Sequence, residues 1–182
     1  MTQKEFISDV TPSLGILRNM TGKKIWGYRA PTWSIAKDVD WTMRTLKSIG
    51  LKYDSSIYPI SKNIFTGHKK QRFAHDIIKD FKEFPPATFQ FGGGSFPLSG
   101  GTFLRYWPVS FVRRNIEKMN HARQAAMIYF YPWEFYKDIP QKKIPAWKYA
   151  VQWGNVRCVR PKVECLLQNF KFLSIRDVLN LV

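Results

Sequence analysis

The stretch that decides the fold reads KIWGYRAPTWSIAKDVDWTMRTLKSIGLKYDSS and runs from residue 24 to residue 56. Its first five residues predict a short strand, and Pro31 disfavours continuation of that strand and predicts a loop. Asp38 is a candidate cap for a following helix, which ends before Gly50. A second short strand is predicted at residues 51–53. This alternation of strand, helix and strand predicts an α/β fold with parallel strands.

The rest of the chain extends this pattern. Apolar spacing predicts a helix over residues 3–20, with either a kink or a fresh helix start at Thr11-Pro12. Further helices are predicted at residues 108–120, 161–170 and 175–181, the last capped by Ser174. The apolar run at residues 125–131 predicts a strand. Five glycines between residues 92 and 101 indicate positive φ angles or a close approach of the backbone to a neighbour.

Composition limits the classes of function. The chain has 182 residues, of which 45% are hydrophobic, so it can bury a core of one domain. Lys and Arg number 29 against 13 Asp and Glu, which gives a net charge of +16 and favours an anionic partner such as nucleic acid, acidic glycan or a membrane surface. The longest apolar run, of about nine residues, is too short to span a bilayer. Two cysteines make no disulfide framework, which favours a reducing, cytoplasmic location.

Three segments end a predicted strand, and in parallel α/β folds that edge holds the active site. They are RAPTW at residues 29–33, GGTFLRYWP at 100–108 and IYFYPWEF at 128–135. Arg29 suits an anion or carboxylate through its planar fork, but it also suits an ion pair that braces the loop. A tight connection into a helix explains the glycines of the second segment but not Arg105. The third segment offers a phenol, an indole and a carboxylate, or aromatic core packing beside a solvated Glu134.

Taken in order, five motifs resemble those of a known family. They read GYRAPTWSI at residues 27–35, YDSSIYP at 53–59, EFP at 83–85, FPLSGGTFLR at 96–105 and YFYPWE at 129–134. The chain is similar to polysaccharide deacetylases of the chitooligosaccharide deacetylase (NodB homology) superfamily. Within that superfamily it resembles the branch of bacterial exopolysaccharide gene clusters, which carries an extra C-terminal region. Five ordered motifs make the resemblance specific, whereas any one alone is weak.

The resemblance implies a fold, an activity and roles for residues. The fold is an incomplete, deformed (β/α) barrel over residues 1–135, including a Gly-rich insertion, with a C-terminal extension over 136–182 that packs on the barrel. The activity is metal-dependent removal of acetyl groups from N-acetylated sugars of a polysaccharide or oligosaccharide. In complete members zinc or another divalent cation is held by one Asp and two His, and a neighbouring Asp is the general base. The resemblance implies the following roles here: catalytic, Arg29, Asp54 and Tyr131; substrate-binding, Pro31, Trp33, Arg105, Trp133 and Glu134.

Two departures from the family pattern shape the expected function. Residues 1–28 hold no His and only Asp9 as an Asp, so the early motifs with the metal ligands and the general base are absent. Tyr131 stands where the family has a late His, and a phenol with a reference pKa of about 10 is a poor proton shuttle near neutral pH. We therefore expect no metal ligand in this chain, no bound cofactor and no activity of the chain alone.

Three functions follow as hypotheses. The first is a portion of a carbohydrate deacetylase, from a truncated gene or one that pairs with a complementing chain carrying the early motifs. The second is a non-catalytic binding protein for anionic glycan, supported by Trp33, Phe103, Trp107 and Trp133 and by the net charge. The third is a nucleic-acid-binding module, which is disfavoured because dispersed basic residues are accompanied by no recognised nucleic-acid-binding signature.

Overall fold

A computed structural model describes residues 2–35, 39–60, 71–136 and 145–181. The predicted α/β class is confirmed, since helices and short strands are mixed along the chain. The chain divides into two compact units. The first comprises Met1–Pro85 together with Ser174–Val182, and the second comprises Pro86–Leu173.

The regular elements follow the chain in this order. The helices are α1 (Gln3–Thr21), α2 (Val39–Ser48), α3 (Gly101–Tyr106), α4 (Val109–His121), α5 (Ala146–Trp153), α6 (Val159–Asn169) and α7 (Ile175–Val178). The strands are β1 (Gly27–Tyr28), β2 (Tyr53–Asp54), β3 (His75–Ile78), β4 (Phe81–Glu83), β5 (Thr88–Phe91) and β6 (Gly94–Pro97). Short 3-10 helices lie at Pro31–Trp33, Pro132–Phe135 and Val156–Cys158.

The first unit contains a four-stranded sheet with the strand order β1-β2-β4-β3. β1, β2 and β4 are parallel, as the strand and helix alternation predicts, and β3 pairs antiparallel to β4. Gly27 lies opposite Tyr53 in this sheet, and the Tyr53 ring occupies the space that a Cβ on Gly27 would need. Residues 2–35, 39–60, 71–136 and 145–181 form this open sheet and a separate hairpin, and no closed barrel.

The core of the first unit lies between the sheet and two helices. α1 contributes three buried side chains at helical spacing: Phe6, Val10 and Leu14. Thr2 and Glu5 form a reciprocal capping box at its start, and Gly22 ends it in the left-handed region with φ 63°. α1 runs through Pro12 as one helix, so the alternative of a fresh helix start at Thr11-Pro12 is wrong. The remaining core side chains are Val39, Met43, Leu46, Leu51 and Phe81.

The second unit combines the β5–β6 hairpin with helices. Gly92 and Gly93 form its turn with φ values of 55° and 75°, so the prediction of positive φ angles for the Gly-rich segment is confirmed there. The predicted strand at residues 125–131 is wrong. The segment has no strand assignment, although the Met127 carbonyl accepts hydrogen bonds from the Ala87 N–H and the Ser99 hydroxyl. Apolar character alone does not set a strand, because a strand also requires a regular ladder of backbone hydrogen bonds.

Candidate functional site

The loop after β1 is held against the loop after β2. Arg29 donates from Nε to the Ser55 carbonyl at 3.1 Å and from Nη2 to the Ser55 hydroxyl at 2.9 Å. The Ser55 hydroxyl in turn donates to the Phe84 carbonyl at 2.6 Å, which lies just after β4. Since β1, β2 and β4 are parallel, all three loops leave the same edge of the sheet. The Arg29 side chain is therefore oriented at this edge although the residue is exposed.

The buried Asp54 fixes the position of the two loops at this edge through hydrogen bonds. Its two carboxylate oxygens accept hydrogen bonds from the Ser56 N–H at 2.8 Å and the Ser56 hydroxyl at 2.7 Å. The Ser56 hydroxyl accepts from the Ala30 N–H at 2.7 Å, so Asp54 fixes the RAPTW loop through one intermediary. Asp54 is fully buried and its contacts are those of a positioning residue. Its assignment as a catalytic residue stays a prediction.

A second carboxyl group lies beside Asp54. Glu83 at the end of β4 is also fully buried, and its Oε1 accepts from the Ile57 N–H at 3.0 Å. Burial and the neighbouring Asp54 raise the pKa of Glu83 well above its ordinary value. Burial raises the pKa of Asp54 as well, while the hydrogen bonds from Ser56 oppose that rise. Two adjacent buried carboxyl groups do not both ionise, so we infer that the pair keeps one proton, on Glu83.

The RAPTW loop presents an aromatic side chain in a constrained conformation. Thr32 and Trp33 have φ values of 54° and 57°, in the left-handed region that bulky residues seldom adopt. The Trp33 ring lies 5.1 Å from the Tyr58 ring, and the Arg29 guanidinium lies 5.1 Å from the Trp33 ring centre. Such constraint clusters at functional sites, where the surroundings hold it in place. Pro31, the fourth predicted site residue of this unit, is exposed at the first position of the turn.

The second unit brings Arg105 and Glu134 together in its interior. Their ion pair has an Nε to Oε1 distance of 3.3 Å, and their side chains are 2% and 0% exposed. Arg105 also donates to the carbonyl groups of Val151 at 2.6 Å and Gly154 at 3.3 Å, at the end of α5. Helix ends carry carbonyl groups without an intrahelical partner, so Arg105 caps α5 from within. Burial lowers the pKa of Arg105 and raises that of Glu134, and the attraction between them opposes both shifts.

Lys162 caps the C-terminal end of α3 in the same way. Its Nζ donates to the carbonyl groups of Leu104 at 3.1 Å, Arg105 at 2.6 Å and Trp107 at 2.8 Å. All three ammonium donors are therefore used on the last turn of α3. Burial lowers the pKa of Lys162, because desolvation disfavours the charged ammonium. Arg105 and Lys162 thus hold α3, α5 and α6 together through helix ends.

Aromatic rings continue from this core to the surface. Tyr131 and Trp133 stack with 15° between their planes and ring centres 5.9 Å apart. The Tyr131 N–H donates to Glu134 Oε2 at 2.8 Å, and the Arg105 guanidinium lies 5.5 Å from the Trp133 ring centre. Tyr131 itself is 42% exposed. Trp107, by contrast, packs against Phe89 at 5.4 Å and donates its indole N–H to the Pro97 carbonyl, so this half-buried ring is engaged in packing.

Comparison with known proteins gives a family but no activity. The model of a family described as a domain of unknown function, DUF3473, matches residues 55–180. The chain belongs to the DUF3473 family. No curated protein and no solved structure matches it. The DUF3473 match includes Arg105, Tyr131, Trp133 and Glu134, while Arg29, Pro31, Trp33 and Asp54 precede it.

The predicted site residues of this DUF3473 protein form two groups. Arg29, Pro31, Trp33 and Asp54 lie together at the sheet edge of the first unit. The second group, which lies around the Arg105 ion pair in the second unit, is Arg105, Tyr131, Trp133 and Glu134. Sequence reasoning missed the roles of Glu83 and Lys162. The EFP motif contains Glu83, but nothing local marks Lys162, whose partners lie more than 50 residues earlier.

Metal-ligating clusters and membrane-spanning helices are two further features that bear on function. Among the residues that the structure describes, no group of three or more His, Cys, Asp or Glu side chains is arranged to hold a metal ion. The described helices include none with the length and apolar character that crossing a membrane requires.

Proposed function

We propose that this chain is the substrate-facing part of a carbohydrate N-deacetylase of the polysaccharide deacetylase family. In this proposal the two units belong to a deformed (β/α) barrel and its C-terminal extension. The ligand set for the divalent cation, one Asp and two His, is supplied by residues other than those of this sequence. Without them the chain binds N-acetylated saccharide but does not hydrolyse it.

One observation carries the proposal. The loops after β1, β2 and β4 leave one edge of a parallel arrangement, and the RAPTW, YDSS and EFP motifs lie at that edge in contact with one another. Three separate motifs of a single family meeting at one edge support a shared site. The half-buried Trp33, in contact with Tyr58 and Arg29, adds aromatic surface of the kind that sugar rings contact to this edge.

The residues of this chain have binding and positioning roles in the proposal. Arg29 is oriented by Ser55, so its planar guanidinium is directed before the ligand arrives. Asp54 and Ser56 fix the loop that carries Trp33. The buried pair of Asp54 and Glu83 does not fit the donor set of a metal centre, since both groups are fully enclosed and Asp54 accepts hydrogen bonds from Ser56 at both carboxylate oxygens.

Binding of a neutral oligosaccharide of N-acetylglucosamine tests the proposal. We expect saturable quenching of tryptophan fluorescence, and we expect Trp33→Ala to weaken the affinity by about tenfold through loss of the stacking face. Trp147→Ala is the matched control, since Trp147 is 67% exposed and lies in the other unit. Equal affinity of Trp33→Ala and the unaltered protein, or no binding by either, would overturn the proposal.

A second function has specific support. A non-catalytic binding protein for anionic glycan is favoured by Tyr131 in place of a proton-transferring His and by the net charge of +16. It differs from the first proposal in needing no additional residues to act. Under it the preferred ligand is an acidic polysaccharide, whereas a deacetylase part requires the N-acetyl group.

A further inference from the structure

A cleft of about 340 Å³ opens in the second unit beside the end of the YFYPWE motif. It lies between the 3-10 turn Pro132–Phe135 and the segment leading into α6. Its lining residues are Glu134, Phe135, Tyr136, Val156, Arg157 and Arg160. The volume is at the lower end of the range of small-molecule sites, about 300–1,000 Å³, which suits one ring-sized unit.

The two sides of the cleft differ in chemistry. Phe135 and Tyr136 supply aromatic surface, with 36% and 70% of these residues exposed. The Phe135 ring is supported by an edge contact with Phe130 at 5.2 Å, so it is held in position. The opposite side carries Arg157 and Arg160, both exposed, and the buried Val156 forms apolar floor between the sides.

Of the charged side chains that line the cleft, Glu134 and Arg160 are held in ion pairs within the protein, whereas Arg157 is in none of the described pairs. Glu134 is neutralised by Arg105 at 3.3 Å, and Arg160 Nε pairs with Glu164 at 3.0 Å. Arg157 makes no ion pair or side-chain hydrogen bond with the residues that the structure describes, and the Tyr136 hydroxyl likewise has no partner among them. An unpaired guanidinium across from an aromatic face matches a ligand with a planar anionic group on an apolar ring.

We propose that this cleft binds one carboxylate-bearing sugar unit, such as a uronate, of an acidic polysaccharide. The sugar ring stacks on Tyr136 and Phe135, the carboxylate pairs with Arg157, and the Tyr136 hydroxyl hydrogen-bonds to a ring substituent. The net charge of +16 concentrates such a polymer near the protein. The inference rests on the proposed function in taking the ligand to be a saccharide, but it concerns a separate place in the second unit.

The test compares an acidic with a neutral oligosaccharide at one fixed, moderate salt concentration. The acidic probe alternates glucuronate and N-acetylglucosamine, and the neutral probe contains N-acetylglucosamine alone. We expect Arg157→Gln and Tyr136→Ala each to weaken acidic-probe binding by about tenfold and to leave neutral-probe binding unchanged. Arg114→Gln is the matched control, because Arg114 is an exposed arginine of α4 that loses the same charge.

The outcomes separate this inference from the proposed function. Equal losses for Arg157→Gln and Arg114→Gln would show that only net charge matters and would overturn the inference. Displacement of the acidic probe by a DNA oligonucleotide at equal charge concentration would overturn it as well. If neutral-probe binding depends on Trp33 and the acidic probe binds no more tightly than the neutral probe, the inference is overturned. The proposed function is then still supported. We expect the unfolding midpoints of Arg157→Gln and Tyr136→Ala to match that of the unaltered protein, because both residues are exposed. Equal midpoints show that the loss of binding does not come from loss of the fold.

Discussion

Arg105→Met is expected to lower the free energy of unfolding of the second unit by about 3–5 kcal/mol, because it leaves the buried Glu134 carboxylate without its partner. The side chain also donates to carbonyl groups at the end of α5, and these would lose their cap inside the protein. The methionine side chain has a similar length to arginine but no hydrogen-bond donors. The variant therefore measures what the charge and the hydrogen bonds of Arg105 contribute to stability. Urea unfolding, with pulse-labelling hydrogen exchange of α3 and α6 as the readout, measures the loss.

Two further variants show whether the ion pair is the cause. Arg160→Met removes an exposed pair with Glu164, in which the side chains are 66% and 57% exposed, and should cost less than about 1 kcal/mol. The double variant Arg105→Met with Glu134→Leu should recover part of the stability, since no unpaired buried charge remains. A loss for Arg105→Met no larger than that for Arg160→Met would contradict the buried clamp.

The stability of the first unit is expected to fall as the pH rises above the ordinary pKa of a glutamic acid side chain, because the folded state raises the pKa of Glu83. The folded state raises the pKa of Glu83 above its ordinary value, so the folded protein keeps a proton that the unfolded chain has lost. The resulting stabilisation is fully present below the pKa of Glu83 in the unfolded chain. It is lost as the pH rises through the pKa of Glu83 in the folded protein. Linkage limits the slope to about 1.4 kcal/mol per pH unit for one proton.

Glu83→Gln should remove this dependence. The amide stays neutral at every pH and can donate to Asp54, so the variant should match the unaltered protein near about pH 5 and exceed its stability near about pH 9. Urea unfolding across that range, with pulse-labelling readout of β2 and β4, gives both curves. Glu117→Gln is the control, since Glu117 lies on the exposed surface of α4 and should leave the slope unchanged. Parallel curves for Glu83→Gln and the unaltered protein would rule out the shared proton.

Local patterns predicted much of the fold. The apolar spacing of Phe6, Val10 and Leu14 identifies α1, and Ser174 caps α7 through the Asp177 N–H as predicted. Pro108 likewise precedes α4 as expected for a helix start. These features depend on residues within one or two turns, which sequence alone contains. The failed strand at residues 125–131 shows the limit, because strand formation requires a partner and an apolar run does not reveal one.

Sequence motifs marked some residues of the candidate sites, but not the partners that these residues contact from distant parts of the chain. The motifs drew attention to Arg29, Asp54, Arg105 and Glu134, which the structure places in two hydrogen-bonded groups. The partners of these side chains could not be inferred, since Glu83 lies 29 positions after Asp54 and the α5 carbonyl groups lie more than 45 residues after Arg105. The aromatic and arginine cleft escaped notice because its two sides come from separate segments without a shared motif.

We propose that this chain binds N-acetylated saccharide without having a metal centre of its own. Zinc content and acetate release by the purified chain test this, after equilibration with zinc and incubation with an N-acetylglucosamine oligosaccharide that it binds. We expect zinc well below one ion per chain and no acetate above the protein-free control. One zinc ion per chain with repeated acetate release would contradict it.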